Sequence, residues 1–279
     1  MDKILVKIFA SLLIIGLFAG LILVINVGKN DLLGKDESKT LSEDILSEYS
    51  AVDLVEVLYS DDSAFTQGLE LDDGKLYIGT GLYGQSYLGI LDPKTGIIDK
   101  KVSLDDKIFG EGISLVGDEI WQLTWKNGKV FVWNKDSFDL VKKFTNEYEG
   151  WGLAYDYDKD RLLASDGSNK IFIRDKKDFS LINSFSLSLY GEDVNNINEL
   201  EYANGYLYAN IWHSKKVIKI DLDKEKIVKV YDFTPILDKY LNDDEKERVD
   251  EFNGIAHIKD DEFYLTGKLY PKIFRVRLK

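Results

Sequence analysis

Phe109-Gly110-Glu111-Gly112-Ile113-Ser114-Leu115-Val116-Gly117-Asp118-Glu119-Ile120-Trp121-Gln122-Leu123-Thr124-Trp125 sets out the unit from which the rest of the chain is built. A carboxylate stands between two glycines, an alternating strand follows, Gly117-Asp118 turns the chain, and a second strand runs to a tryptophan. With no side chains at 110 and 112, another backbone or a ligand can come close to Glu111. The same pattern returns along the chain with other polar residues in the Glu111 place. Aligning Gly68, Gly112, Gly152 and Gly254, with Glu199 in the glycine place of the fourth unit, gives spacings of 44, 40, 47 and 55 residues. A period near forty with four short strands per unit predicts an all-β, five-bladed β-propeller.

Each unit repeats the same order. The first runs from Phe65 through a turn at Asp72-Asp73-Gly74, a second strand to Thr80, a third to Asp92, a turn at Pro93 to Gly96, and an outer strand ending near Leu104. The fourth carries Asn204-Gly205 between alternating runs, the strongest short hairpin signal. The fifth, from Asn253 to Lys279, supplies only three strands. Val52 to Tyr59 is an alternating run with no other assignment, and pairing it with the last strands closes the ring and removes an exposed edge. Inserts fall at Ser188 to Asn196 and Asp232 to Glu251; the second is predicted helical, with Ile236, Leu237, Tyr240 and Leu241 at helical spacing.

Composition narrows the function. The net charge of -13 argues against a nucleic-acid groove, since phosphates would be repelled. There is no cysteine, so no disulfide or thiol chemistry is expected, and His213 and His257 alone do not make an ordinary zinc site. No metal and no cofactor are expected. Ile8 to Val27 is free of charge and, as a helix, would reach roughly 30 Å, about a bilayer core. Residues 1–28 are therefore expected to be a single uncleaved signal-anchor transmembrane helix and 29–50 a polar stalk. Residues 51–279 are expected to be the propeller, a monomer held outside the cytoplasm at the cell membrane. Lys3 and Lys7 ahead of the apolar run set that orientation.

Residues at matching places of a propeller repeat converge at the hub. Those places hold Phe65, Gln67, Phe109, Glu111, Trp151, Asn198 and Asn253, while ends of second strands bring Trp125, Trp212 and Lys268. An aromatic box with one acid, one base and two or three amides suits a small-molecule site. A tryptophan in a β-rich protein is as readily core as ligand-facing, and Glu111 alone could cap a turn. Two other readings of the same residues stay open: a lactonase-like hydrolase with a cation on Glu111, Asn198, Asn253 and Gln67, and a surface propeller that binds peptide ends without chemistry.

Nine motifs carry a resemblance. They are Phe65-Thr-Gln-Gly-Leu-Glu, Thr80-Gly-Leu-Tyr-Gly-Gln-Ser, Phe109-Gly-Glu-Gly-Ile, Gln122-Leu-Thr-Trp-Lys, Gly150-Trp-Gly-Leu, Ser165-Asp-Gly-Ser, Asn198-Glu-Leu-Glu-Tyr, Asn253-Gly-Ile-Ala and Thr266-Gly-Lys-Leu-Tyr-Pro-Lys. In this order, over nearly all of residues 52–279, they resemble the plant and bacterial type of glutaminyl-peptide cyclotransferase. The resemblance implies a five-bladed propeller that turns the N-terminal glutamine of a peptide or protein into pyroglutamate and releases ammonia. It implies Glu111 as the catalytic carboxylate, with Phe65, Gln67, Phe109, Trp125, Trp151, Asn198, Trp212 and Lys268 binding the substrate. Tyr270 stands where the family often has tryptophan.

Overall fold

The computed structural model describes residues 51–279. The expected anchor and stalk lie outside the described residues. Among the described residues no helix is long and apolar enough to cross a membrane.

Five four-stranded antiparallel sheets form the ring. The chain starts with β1 (Val52–Tyr59). Blade one is β2 (Thr66–Asp72), β3 (Lys75–Thr80), β4 (Tyr87–Asp92) and β5 (Ile97–Ser103). Blade two is β6 (Gly110–Val116), β7 (Glu119–Thr124), β8 (Lys129–Asn134) and β9 (Leu140–Thr145). Blade three is β10 (Leu153–Asp156), β11 (Arg161–Ala164), β12 (Lys170–Arg174) and β13 (Leu181–Ser186). The short hairpin β14 (Ser188–Leu189) and β15 (Glu192–Asp193) occupies the first insert. Blade four is β16 (Ile197–Ala203), β17 (Tyr206–Ile211), β18 (Lys216–Asp221) and β19 (Lys226–Asp232). The second insert forms helices α1 (Thr234–Tyr240) and α2 (Asp243–Arg248), and the chain ends with β20 (Phe252–Lys259), β21 (Glu262–Gly267) and β22 (Lys272–Leu278).

The fifth sheet runs β1-β22-β21-β20, with Val52 opposite Leu278 and Tyr59 opposite Lys272. The predicted closing strand therefore sits where the alternation of Val52 to Tyr59 put it. The inner strands β2, β6, β10, β16 and β20 are each neighboured by the next, and β20 returns to β2. Apolar residues gather in five clusters, each between two adjacent blades. Both faces of a blade are thus buried, and β7 shows the consequence: Ile120 packs on one side and Trp121 and Leu123 on the other.

Sequence explains the turns and the hub. At the Asn204-Gly205 hairpin both residues have positive φ, 53° and 80°, as a two-residue loop matching strand twist requires. In the hub, a Cβ on Gly112 would meet Trp151 O at 2.6 Å, and one on Gly152 would meet Asn198 O at 2.1 Å, so inner strands pack backbone to backbone. Glu199 takes the glycine place in β16. Its carboxylate enters the space that glycines leave and accepts N–H groups of Leu69 at 3.2 Å and Ile255 at 3.0 Å, joining three blades. In the second insert, α1 buries Leu237, and α2 begins with a reciprocal cap in which Asn242 accepts from Glu245 N and Glu245 from Asn242 N.

Candidate active site

At one mouth of the hub a cavity of about 290 Å³ is lined by Phe65, Gln67, Leu82, Phe109, Glu111, Trp125, Trp151, Asn198, Trp212, Asp250 and Lys268. Nine of the ten residues placed at the hub from the sequence come together there. Asn253 does not: its amide donates to Thr66 O at 3.2 Å and Gln67 O at 3.4 Å, tying blade five to blade one. Of the four groups of the lactonase-like cation site, only Glu111, Asn198 and Gln67 line the cavity. Tyr270 also lies outside the cavity, packed against Phe252. Leu82 and Asp250 were not singled out, because both lie in connections rather than at repeat positions; positive φ at Leu82 bends its loop.

Backbone bonds explain why distant residues converge. Trp125 N donates to Phe109 O at 3.1 Å, so the start and the end of the first hairpin of blade two meet. Gly112 N donates to Trp151 O at 2.8 Å, bringing blade three beside Glu111. Trp212 follows β17, held by its N–H to Asn196 O at 2.8 Å, and Lys268 follows β21, held by its N–H to Glu251 O at 2.8 Å.

The aromatic walls are built from edge-to-face contacts. Phe109 meets Phe65, Tyr83 and Trp125 edge to face, with centroids 6.2, 5.4 and 5.5 Å away. Trp151 and Trp212 stand edge to face at 5.4 Å, and Trp151 lies against Gly167, where a Cβ would meet its ring at 2.5 Å. The other two tryptophans are core: Trp121 stacks on Phe144 at 5.2 Å, and Trp133 donates to Gln122.

Glu111 is 5% exposed and accepts a hydrogen bond from Gln67 Nε2 at 3.1 Å. Burial pushes its carboxyl well above the usual range; the Lys268 charge pulls it down and Glu149 adds to the rise. Lys268 is 5% exposed, with Nζ 5.0 Å from the Phe65 ring centroid. Desolvation lowers its pKa, while Glu111, Asp250 and Glu251 oppose that. Gln67 Oε1 and Asn198 Oδ1 are buried with no protein partner. A lined, apolar cavity with one buried carboxyl, one ammonium and two unpaired amide oxygens can hold an amide-bearing ligand and move protons on it.

Residues 30–278 match the glutamine cyclotransferase family. The chain belongs to that family, and with it to the transferases. A glutaminyl-peptide cyclotransferase of Arabidopsis thaliana is 29% identical over 276 residues, covering 98% of this chain and 84% of that one. The crystal structure of Myxococcus xanthus glutaminyl cyclase superposes with a TM-score of 0.74 at 32% identity, covering 83% of this chain and 97% of the other. The five-bladed propeller expected from the repeat is thus also what a member of the family resembles in three dimensions.

Proposed function

We propose that the protein converts the N-terminal glutamine of peptides or proteins into pyroglutamate, with Glu111 moving the protons. The observation that carries this reading is a single buried carboxyl, oriented by Gln67, at an aromatic-walled cavity in a chain of the glutamine cyclotransferase family. Attacking amine and attacked carboxamide lie on one residue, so the walls need only hold the folded-back side chain, which removes much of the entropic barrier. The amine nitrogen bonds to the side-chain carbonyl carbon and passes its proton to Glu111. Glu111 returns the proton to the amide nitrogen, the bond from carbon to that nitrogen breaks, and ammonia leaves.

The other groups have distinct parts. Lys268 offers positive charge to the oxyanion that forms during attack. Gln67 gives a donor to Glu111, so its unpaired oxygen, like that of Asn198, is suited to accept from the carboxamide NH₂.

The test is ammonia release from a short Gln-initiated peptide by the purified protein and by Glu111→Gln. The variant should bind the peptide while turnover falls by about 10² to 10⁴, the usual weight of acid–base help. Wild-type turnover in the variant removes Glu111 from the chemistry, and tight peptide binding with no ammonia from the wild type leaves a receptor instead. The proposal includes attachment: the uncharged run Ile8 to Val27 tethers the propeller outside the cytoplasm. Recovery of the full chain in the soluble fraction would contradict that tether.

A further inference from the structure

Glu149 stands just before Trp151 and outside the cavity lining, its side chain 41% exposed. One of its oxygens, Oε2, accepts the indole N–H of Trp125 at 2.8 Å and that of Trp151 at 3.4 Å. The other oxygen faces Lys126 Nζ at 3.4 Å, and that ammonium lies 4.3 Å from the Trp125 ring centroid. The two indoles belong to different blades: Trp125 ends the first hairpin of blade two, and Trp151 leads into blade three. Indoles bound to one oxygen cannot separate or rotate independently, and Gly150 N donating to Trp125 O at 3.1 Å keeps their backbones in step.

We infer that Glu149 is a positioning residue for the cyclisation, pinning the Trp125 and Trp151 walls at the separation that grips a folded glutaminyl side chain. This inference rests on the proposed function, because the separation matters only if the cavity holds such a side chain. An alanine at 149 frees both N–H groups, and each wall can turn. A glutamine keeps an acceptor oxygen for both indoles and loses only the charge.

That charge gives a second signature. Glu111 faces Lys268, Gln67 and, behind the tryptophan wall, Glu149; Lys268 in turn faces Asp250 and Glu251, and Glu149 faces Lys126. Lys268 stabilises ionised Glu111 and Glu149 opposes it, so losing the charge at 149 makes Glu111 easier to ionise.

The experiment compares the full-length wild type with Glu149→Ala and Glu149→Gln on a Gln-Ala peptide. KM should rise at least about tenfold in Glu149→Ala with kcat changed far less, and should stay within about threefold of wild type in Glu149→Gln. In both variants the acid limb of kcat against pH should move to lower pH. The indole Nε1–H resonances of Trp125 and Trp151 should shift in Glu149→Ala and stay near their wild-type positions in Glu149→Gln. Unmoved indole resonances in Glu149→Ala, or a wild-type KM, overturn the inference. So does an equal loss in both variants with an unmoved acid limb. If the wild type releases no ammonia, the proposed function fails, while the resonances still report whether Glu149 holds the two indoles.

Discussion

Glu111 and Lys268 are both nearly buried, and each moderates what burial does to the other. The sign of that coupling gives a test. In Lys268→Met the positive charge is gone and Glu111 becomes harder to ionise, so the acid limb of kcat should move to higher pH. Every tenfold gain in the proton affinity of Glu111 costs about tenfold in activity on the acid side, and the loss should therefore be greater at pH 6 than at pH 8.5. A pH profile of ammonia release checks it, and an unmoved acid limb would show that Lys268 does not act on Glu111. At this scale Glu111 was legible because Gly110 and Gly112 mark it in the sequence. Trp125, Trp151 and Trp212 were separable from Trp121 and Trp133 only by repeat position, since residue type alone does not distinguish a core tryptophan from one that lines a cavity. Glu149 and Asp250 had no such marker, because both lie in connections where charged residues are ordinarily solvated.

Among the elements, the inner strands carry an unusual load of acid. Burial raises the pKa of Glu70 on β2 and of Glu199 and Glu201 on β16; the Glu70 charge adds to the rise at Glu199 and Glu201, and Glu199 adds to it at Glu201. Burial, helped by Asp72, pushes Glu70 up to about 7 against hydrogen bonds from Ser114 and Leu115 N. An acid whose pKa is raised on folding keeps its proton in the folded state after the unfolded chain has lost it. Stability therefore falls as pH rises from the ordinary carboxyl range through about 7. Glu70→Gln should melt higher than wild type at pH 8, by at least about 2–4 °C, and nearly level with it at pH 5. Thermal melts at the two pH values decide the matter, and equal gaps would refute it. The Glu199 position was visible as a break in the glycine repeat. Its bonds to blades one and five were not, because they join residues 130 and 56 positions away.

For the whole molecule, closure rests on β1, which covers the edge of β22 and sets Val52, Leu54 and Val57 against the core between blades four and five. A chain beginning at residue 60 would leave that edge open and its apolar cover missing. Compared with a chain beginning at residue 51, it should melt at least about 10 °C lower or aggregate, as measured by calorimetry and light scattering. An equally stable, soluble protein would mean that ring closure does not depend on the first strand.

By itself the sequence determined the repeat, the number of blades, the strand that completes the last one, the helical insert, and the glycine-flanked acid. These depend on local alternation, on turn residues and on a period, all of which are properties of contiguous residues. Only the tertiary structure decided that Asn198 faces the cavity while Asn253 braces two blades, that Glu199 fills the hub, and that one oxygen of Glu149 serves two tryptophans. Those choices turn on which side chains meet once five sheets have closed on an axis, and distances of that kind, across tens of residues, leave no periodic trace in the chain.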